Sequence, residues 1–136
     1  MSFLKMLDKV TLRKITNWSA RGEKDVAYQN MDAGVEAEIQ DANVAMSLVE
    51  DNPDPVFGGR YHALLLDLDV PAYLIPSTTP GHSHLYVDAH IPEERYFALL
   101  DTLADCGVIE HGYAGASQAK GGSYLRLPWI KKEATA

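Results

Sequence analysis

A single cysteine, Cys106, is the whole thiol inventory of the chain. That excludes an internal disulfide and a cysteine-built zinc site, and it suits a reducing cytoplasm. Long hydrophobic runs are missing as well. No apolar stretch approaches the roughly 18–20 residues that span a bilayer, so no membrane role is expected. The opening residues, MSFLKMLDKVTLRK, break their apolar positions with charge and lack the continuous core of a secretory signal. Basic residues are scarce, with 12 Lys and Arg against 19 Asp and Glu and a formal net charge of −7. Such a balance argues against a surface that grips duplex DNA on all sides, because that binding rests on neutralised phosphates. Repeats and low-complexity tracts are also absent.

What remains is the composition of a packed protein. The 136 residues are 46% hydrophobic and 23% charged, which predicts one domain, 1–136, with one core. A cluster of turn formers, Asp51-Asn52-Pro53-Asp54-Pro55 followed by Gly58-Gly59, separates two parts. Residues 1–55 carry little readable pattern. Phe3, Leu4, Leu7, Val10 and Leu12 suit a short amphipathic helix, residues 35–49 fit helix or strand, and Trp18 reads as core or as a packing lid.

Residues 60–132 are more legible. In ALLLDLDV (63–70), Leu64, Leu66, Leu68 and Val70 alternate with Leu65, Asp67 and Asp69, the pattern of a strand. A second strand follows over 72–75, bracketed by Pro71 and Pro76. A third covers 82–89, with Leu85 and Val87 toward the core and His82, His84, Tyr86 and Asp88 on the other face. Pro92, Glu93, Glu94 and Gly107 frame a helix. Residues 112–122, rich in Gly, Ala and Ser, read as a loop into a last strand over 123–127 that ends at Pro128. The fold class is therefore α+β, a small and mainly antiparallel sheet packed against helices.

Three constellations could carry chemistry. Asp67 and Asp69 at i and i+2 of a strand would share a face, with Cα atoms roughly 6.5–7 Å apart. Such a pair can hold Mg²⁺ or Mn²⁺ against substrate phosphates. Read structurally, it is an acidic strand end. The loop Ser77-Thr78-Thr79-Pro80-Gly81 leading to His82-Ser83-His84 offers hydroxyl, backbone and imidazole donors to an anion. Read structurally, it is a polar hairpin tip. In Tyr124-Leu125-Arg126-Leu127-Pro128-Trp129-Ile130-Lys131-Lys132, the Arg126 guanidinium can fork onto a phosphate or pair with Asp67 or Asp69. Charge follows the same order: between His62 and Glu110 eight carboxylates face Arg95 alone, whereas from His111 onward Lys120, Arg126, Lys131 and Lys132 face only Glu133.

Taken in sequence, an acid pair, a small-residue loop heading a histidine strand, a helix and a Leu-Arg-Leu-Pro segment with lysines behind it resemble the catalytic core of the archaeo-eukaryotic primase (primase-polymerase) superfamily. The resemblance covers about residues 62–132. It implies a primase-core-like (RRM-like) half and a miniature or reduced member of the kind found in phages, working in the host cytoplasm. It implies metal-binding and catalytic roles for Asp67 and Asp69, and a role for His84, or else His82, at the phosphates of an incoming nucleotide. Thr78, Thr79 and Ser83 would line that site, and Arg126 and Lys132 would face nucleotide or template phosphate. Glu110 is the candidate third acid and Asp88 the next. The implied activity is nucleotide or single-stranded nucleic-acid binding, with or without metal-dependent nucleotidyl transfer.

Two further readings bear on function. A haloacid-dehalogenase-like phosphatase would need Gly-Thr soon after its nucleophilic Asp, but Val70-Pro71 stands there. The surviving rival is a small acidic interaction protein, such as a phage-encoded inhibitor of a host enzyme, whose partner is another protein.

Overall fold

The computed structural model describes residues 2–15, 34–49 and 59–131. Trp18, the 51–55 turn cluster, Gly58 and Lys132 lie outside the described residues. The chain falls into two compact units, Met1–Asp67 and Leu68–Ala136. Both are built from helices and antiparallel strands, a small α+β fold as expected. No helix among the described residues is long and apolar enough to cross a membrane.

The first unit opens with helix α1, Phe3–Leu7, whose N-cap Ser2 hydroxyl accepts from the Lys5 amide at 3.2 Å. The apolar pattern expected to extend this helix belongs in part to a strand. Val10 and Leu12 lie in β1, Val10–Lys14, which runs between β2, Val35–Glu36, and β3, Val44–Val49, both antiparallel to it. The ambiguous stretch 35–49 therefore resolves into two strands with a turn between them. Pairing of β1 with β3 slips between Val10 and Thr11, and the Thr11 hydroxyl, 1% exposed as a residue, donates to the Leu48 carbonyl at 3.0 Å. A side chain thus supplies a bond where the ladder shifts. At the other end of β1, the Asn43 amide group completes the edge: Ile15 N–H donates to Oδ1 and Nδ2 donates to the Ile15 carbonyl, both at 2.9 Å.

The acid-bearing strand expected over 63–70 does not form. A single bridge, Leu48 with His62, and the amide bonds Val49 to Tyr61 and Ala63 to Ser47 are the last rungs. Beyond them the backbone is irregular to Leu68 and bends at Asp69 and Val70. Alternating leucines set strand propensity, but a strand needs a ladder partner, and these residues pair with none among the described residues.

The second unit begins with a hairpin of β4, Ala72–Pro76, and β5, Ser83–Val87, in the register Ala72 to Val87 and Ile75 to His84. Helix α2, Glu93–Asp105, and helix α3, His111–Lys120, follow. Pro92 caps α2 with extended backbone, and Glu93 and Glu94 sit in its first turn, where the helix dipole favours carboxylates. Its end is a Schellman motif: Gly107 stands at φ 78°, its amide donates to Ala104 and that of Val108 to Leu103.

Helix α3 occupies the span read as a Gly/Ala/Ser loop. Its small residues hid the helical period, yet they are what allows close approach: Ala114 and Ser117 are buried, and Ala114 joins Leu100 and Ala104 in the core, flanked by Tyr96, Phe97 and Ile109. Polar bonds from Gln118 to Asp101 at 2.8 Å and between His111 and Asp105 at 3.0 Å tie the two helices along their rims. The strand expected over 123–127 does not form: these residues enter no ladder among the described residues.

Candidate functional site

The hairpin tip is the best-formed part of the candidate site. Ser77 N–H donates to the His82 carbonyl at 3.0 Å, and His82 N–H to Thr79 at 3.1 Å. Thr79-Pro80-Gly81-His82 is thus a β-turn with Pro at its second position and Gly81, φ 80°, at its third, the chemistry of a type II turn. The Ser77 hydroxyl accepts from Thr79 N–H at 3.2 Å and braces the loop from inside. Ser77 is therefore committed to the turn. The hydroxyls of Thr78, Thr79 and Ser83 and the His82 ring are exposed and make no hydrogen bond among the described residues. The turn thus gathers these four side chains at one tip.

The strand beyond the tip faces differently from expectation. His84 pairs with Ile75 and Tyr86 with Tyr73, and His84, Ile75 and Tyr86 form the half-buried face. Leu85 and Val87, expected in the core, are instead exposed at 50% and 39%, beside Leu74 at 66%. Period-2 alternation sorts residues into two sets without saying which set is inward. Here the face of Ile75, His84 and Tyr86 is the half-buried one, although Tyr73 beside Tyr86 is 64% exposed, and the Tyr86 hydroxyl is shut off from solvent with no hydrogen-bond partner among the described residues. His82 precedes β5 and belongs to the turn, so the shared strand face proposed for His82 and His84 is not formed.

The acids are dispersed by element. Asp67 lies in irregular backbone and Asp69 at a bend, so no sheet pleat aligns the pair. Glu110 is the N-cap residue of α3, exposed and without a side-chain capping bond. Asp88, the other candidate, holds His90 Nε2 at 3.2 Å. Among the described residues no group of three His, Cys, Asp or Glu could hold a metal.

Arg126 is exposed and makes no hydrogen bond or ion pair among the described residues. Its neighbour Leu125 is half-buried, but Leu127 is exposed, so the segment is anchored on one side only. The anchor was not legible in the sequence. Tyr96 Oη donates to Ser123 Oγ, which donates to buried Ser117 Oγ at 2.9 Å, a hydroxyl chain joining α2, α3 and the start of the Arg126 segment. No periodic signal announces a serine 27 residues from its tyrosine.

Compared with protein-family models, with curated proteins and with solved structures, the chain matches none.

Proposed function

We propose that the chain is a primase-like nucleotide- or nucleic-acid-binding module of the cytoplasm, the host cytoplasm if phage-encoded. One observation carries the reading: the Pro-Gly turn at the hairpin tip leaves the Thr78, Thr79 and Ser83 hydroxyls and the His82 ring exposed, with no hydrogen-bond partner among the described residues. Unpaired donors on a braced loop are suited to phosphate oxygens. Asp67 and Asp69 would hold Mg²⁺ or Mn²⁺ that screens the triphosphate charge. His84, half-buried on β5, would contact the phosphates of the nucleotide, and Arg126, exposed and unpaired among the described residues, would take a further phosphate. Glu110 and Lys132 complete the set that the primase resemblance suggests. Whether such a module also transfers a nucleotide turns on the metal.

Calorimetry with Mn²⁺ and a nucleoside triphosphate, singly and together, tests the reading. Binding of each should be stronger in the presence of the other, because two carboxylates leave most of the octahedral shell to phosphate and water. Asp67→Ala with Asp69→Ala should abolish that synergy. Arg126→Ala should weaken triphosphate binding roughly ten- to a hundredfold, the worth of a charge-assisted hydrogen bond, while stability stays within about 0.5 kcal/mol. Unchanged binding in the double variant would overturn the assignment of the acids.

A second reading is favoured by the exposed Leu74, Leu85 and Val87 face of the hairpin: a non-catalytic interaction protein that docks on another protein. It predicts no stabilisation by metal and triphosphate together.

A further inference from the structure

Residues 120–131 combine three features that occur together nowhere else among the described residues. The first is charge: Lys120, Arg126 and Lys131 are exposed, and no carboxylate occurs between His111 and Lys131 in a chain that is otherwise strongly acidic. The second is exposed aromatic surface. Tyr124 is 68% and Trp129 73% exposed, although such rings ordinarily bury most of their area. The third is a backbone that holds them out. The Ser123 hydroxyl is fixed to Tyr96 and Ser117 on the helices, and the Lys120 ammonium lies 5.1 Å from the Tyr124 ring centroid. At the far end, Ile130 N–H donates to the Leu127 carbonyl at 3.0 Å, closing a turn with Pro128 at its second position and Trp129 at its third.

We infer that this segment is a contact for single-stranded nucleic acid, in which Tyr124 and Trp129 stack on bases while Lys120, Arg126 and Lys131 hold the intervening phosphates. The inference rests on the reading of the chain as a nucleotide or nucleic-acid binder and gives that reading a polymeric ligand. Flat rings alternating with cations along one segment match a strand whose bases are unstacked and whose phosphates recur between them. A duplex hides its base faces, and so gives the two rings nothing to stack on. An acidic protein partner would satisfy the cations but would not require two exposed rings.

The test uses the full chain and an oligothymidylate of about a dozen nucleotides, within the usual site size, without metal or triphosphate. Fluorescence anisotropy of the labelled oligonucleotide should report binding at low salt. The logarithm of the association constant should fall against the logarithm of salt with a slope of about −2, as three phosphate contacts require. Trp129 emission should be quenched by the stacked base. Trp129→Phe should lose that quenching while retaining part of the affinity, and Tyr124→Ala or Trp129→Ala should each weaken binding about 5- to 150-fold. Both rings are exposed, so circular dichroism should show the fold unchanged in each variant. Absence of binding at low salt, or quenching that persists in Trp129→Phe, would overturn the inference. Because no metal or triphosphate is present, that failure is separate from a loss of metal–triphosphate synergy, which would overturn the nucleotide site and leave the stacking segment standing.

Discussion

At the scale of single residues, the structure separates side chains that hold the fold from those free to act. Gly34 belongs to the first kind. It stands at φ 69°, and a Cβ there would lie 2.6 Å from the Lys14 carbonyl oxygen and 3.0 Å from the Ile15 side chain. The backbone atom cannot yield as a flexible side chain would. The Gly34 carbonyl also accepts from the Arg13 guanidinium at 2.8 Å, fixing the entry to β2. Gly34→Ala should therefore cost more than the roughly 1–2 kcal/mol of left-handed strain alone, read as a lower midpoint in chemical denaturation at unchanged slope. Gly81 has the same backbone sign but open space around it, so only the strain applies there. Arg126, Thr78 and Thr79 belong to the second kind: they are exposed, and no protein group competes for them among the described residues. Residue types alone suggested their availability, but only the turn and the missing ion pairs establish it.

At the scale of elements, legibility followed the strength of local signals. Helix α2 could be read because Pro92, two glutamates and Gly107 punctuate it and five apolar residues mark its face. Hairpin β4–β5 could be read because prolines and a Pro-Gly turn bound it. Helix α3 could not, since Gly112 and Gly115 lower its propensity and its packing face is Ala and Ser rather than Leu. Its stability is tertiary, and that has a measurable consequence. Leu100, 6% exposed, fills the space that Ala104 and Ala114 leave between the helices. Leu100→Ala should cost about 2–5 kcal/mol. Ala114→Leu, which adds volume where the helices meet, should cost about 1–3 kcal/mol, well beyond the small difference in helix propensity between alanine and leucine. A loss at position 114 larger than the propensity difference accounts for, seen by denaturation of both variants, would place the determinant in the packing. The strand expected over 63–70 failed for the converse reason: its local signal was strong but found no neighbour to pair with.

At the scale of the whole molecule, the order of motifs was legible and their spatial gathering was not. Acids, hairpin tip and cationic segment follow one another as the sequence reading expected, yet each is borne by a different element, and the division into Met1–Asp67 and Leu68–Ala136 falls inside the acid triplet itself. That division also bears on how the chain meets a protease. Residues 64–68 combine exposed leucines with backbone that enters no ladder, the conformation a proteolytic cleft requires of its substrate. Brief digestion with chymotrypsin should cut there among the earliest sites, and mass spectrometry should find fragments ending or beginning within Leu64–Leu68. The Pro-Gly hairpin and the two Schellman-capped helices, whose amides are engaged, should outlast that cut. The leucines that most suggested a buried strand would then mark a stretch where the chain is cut early.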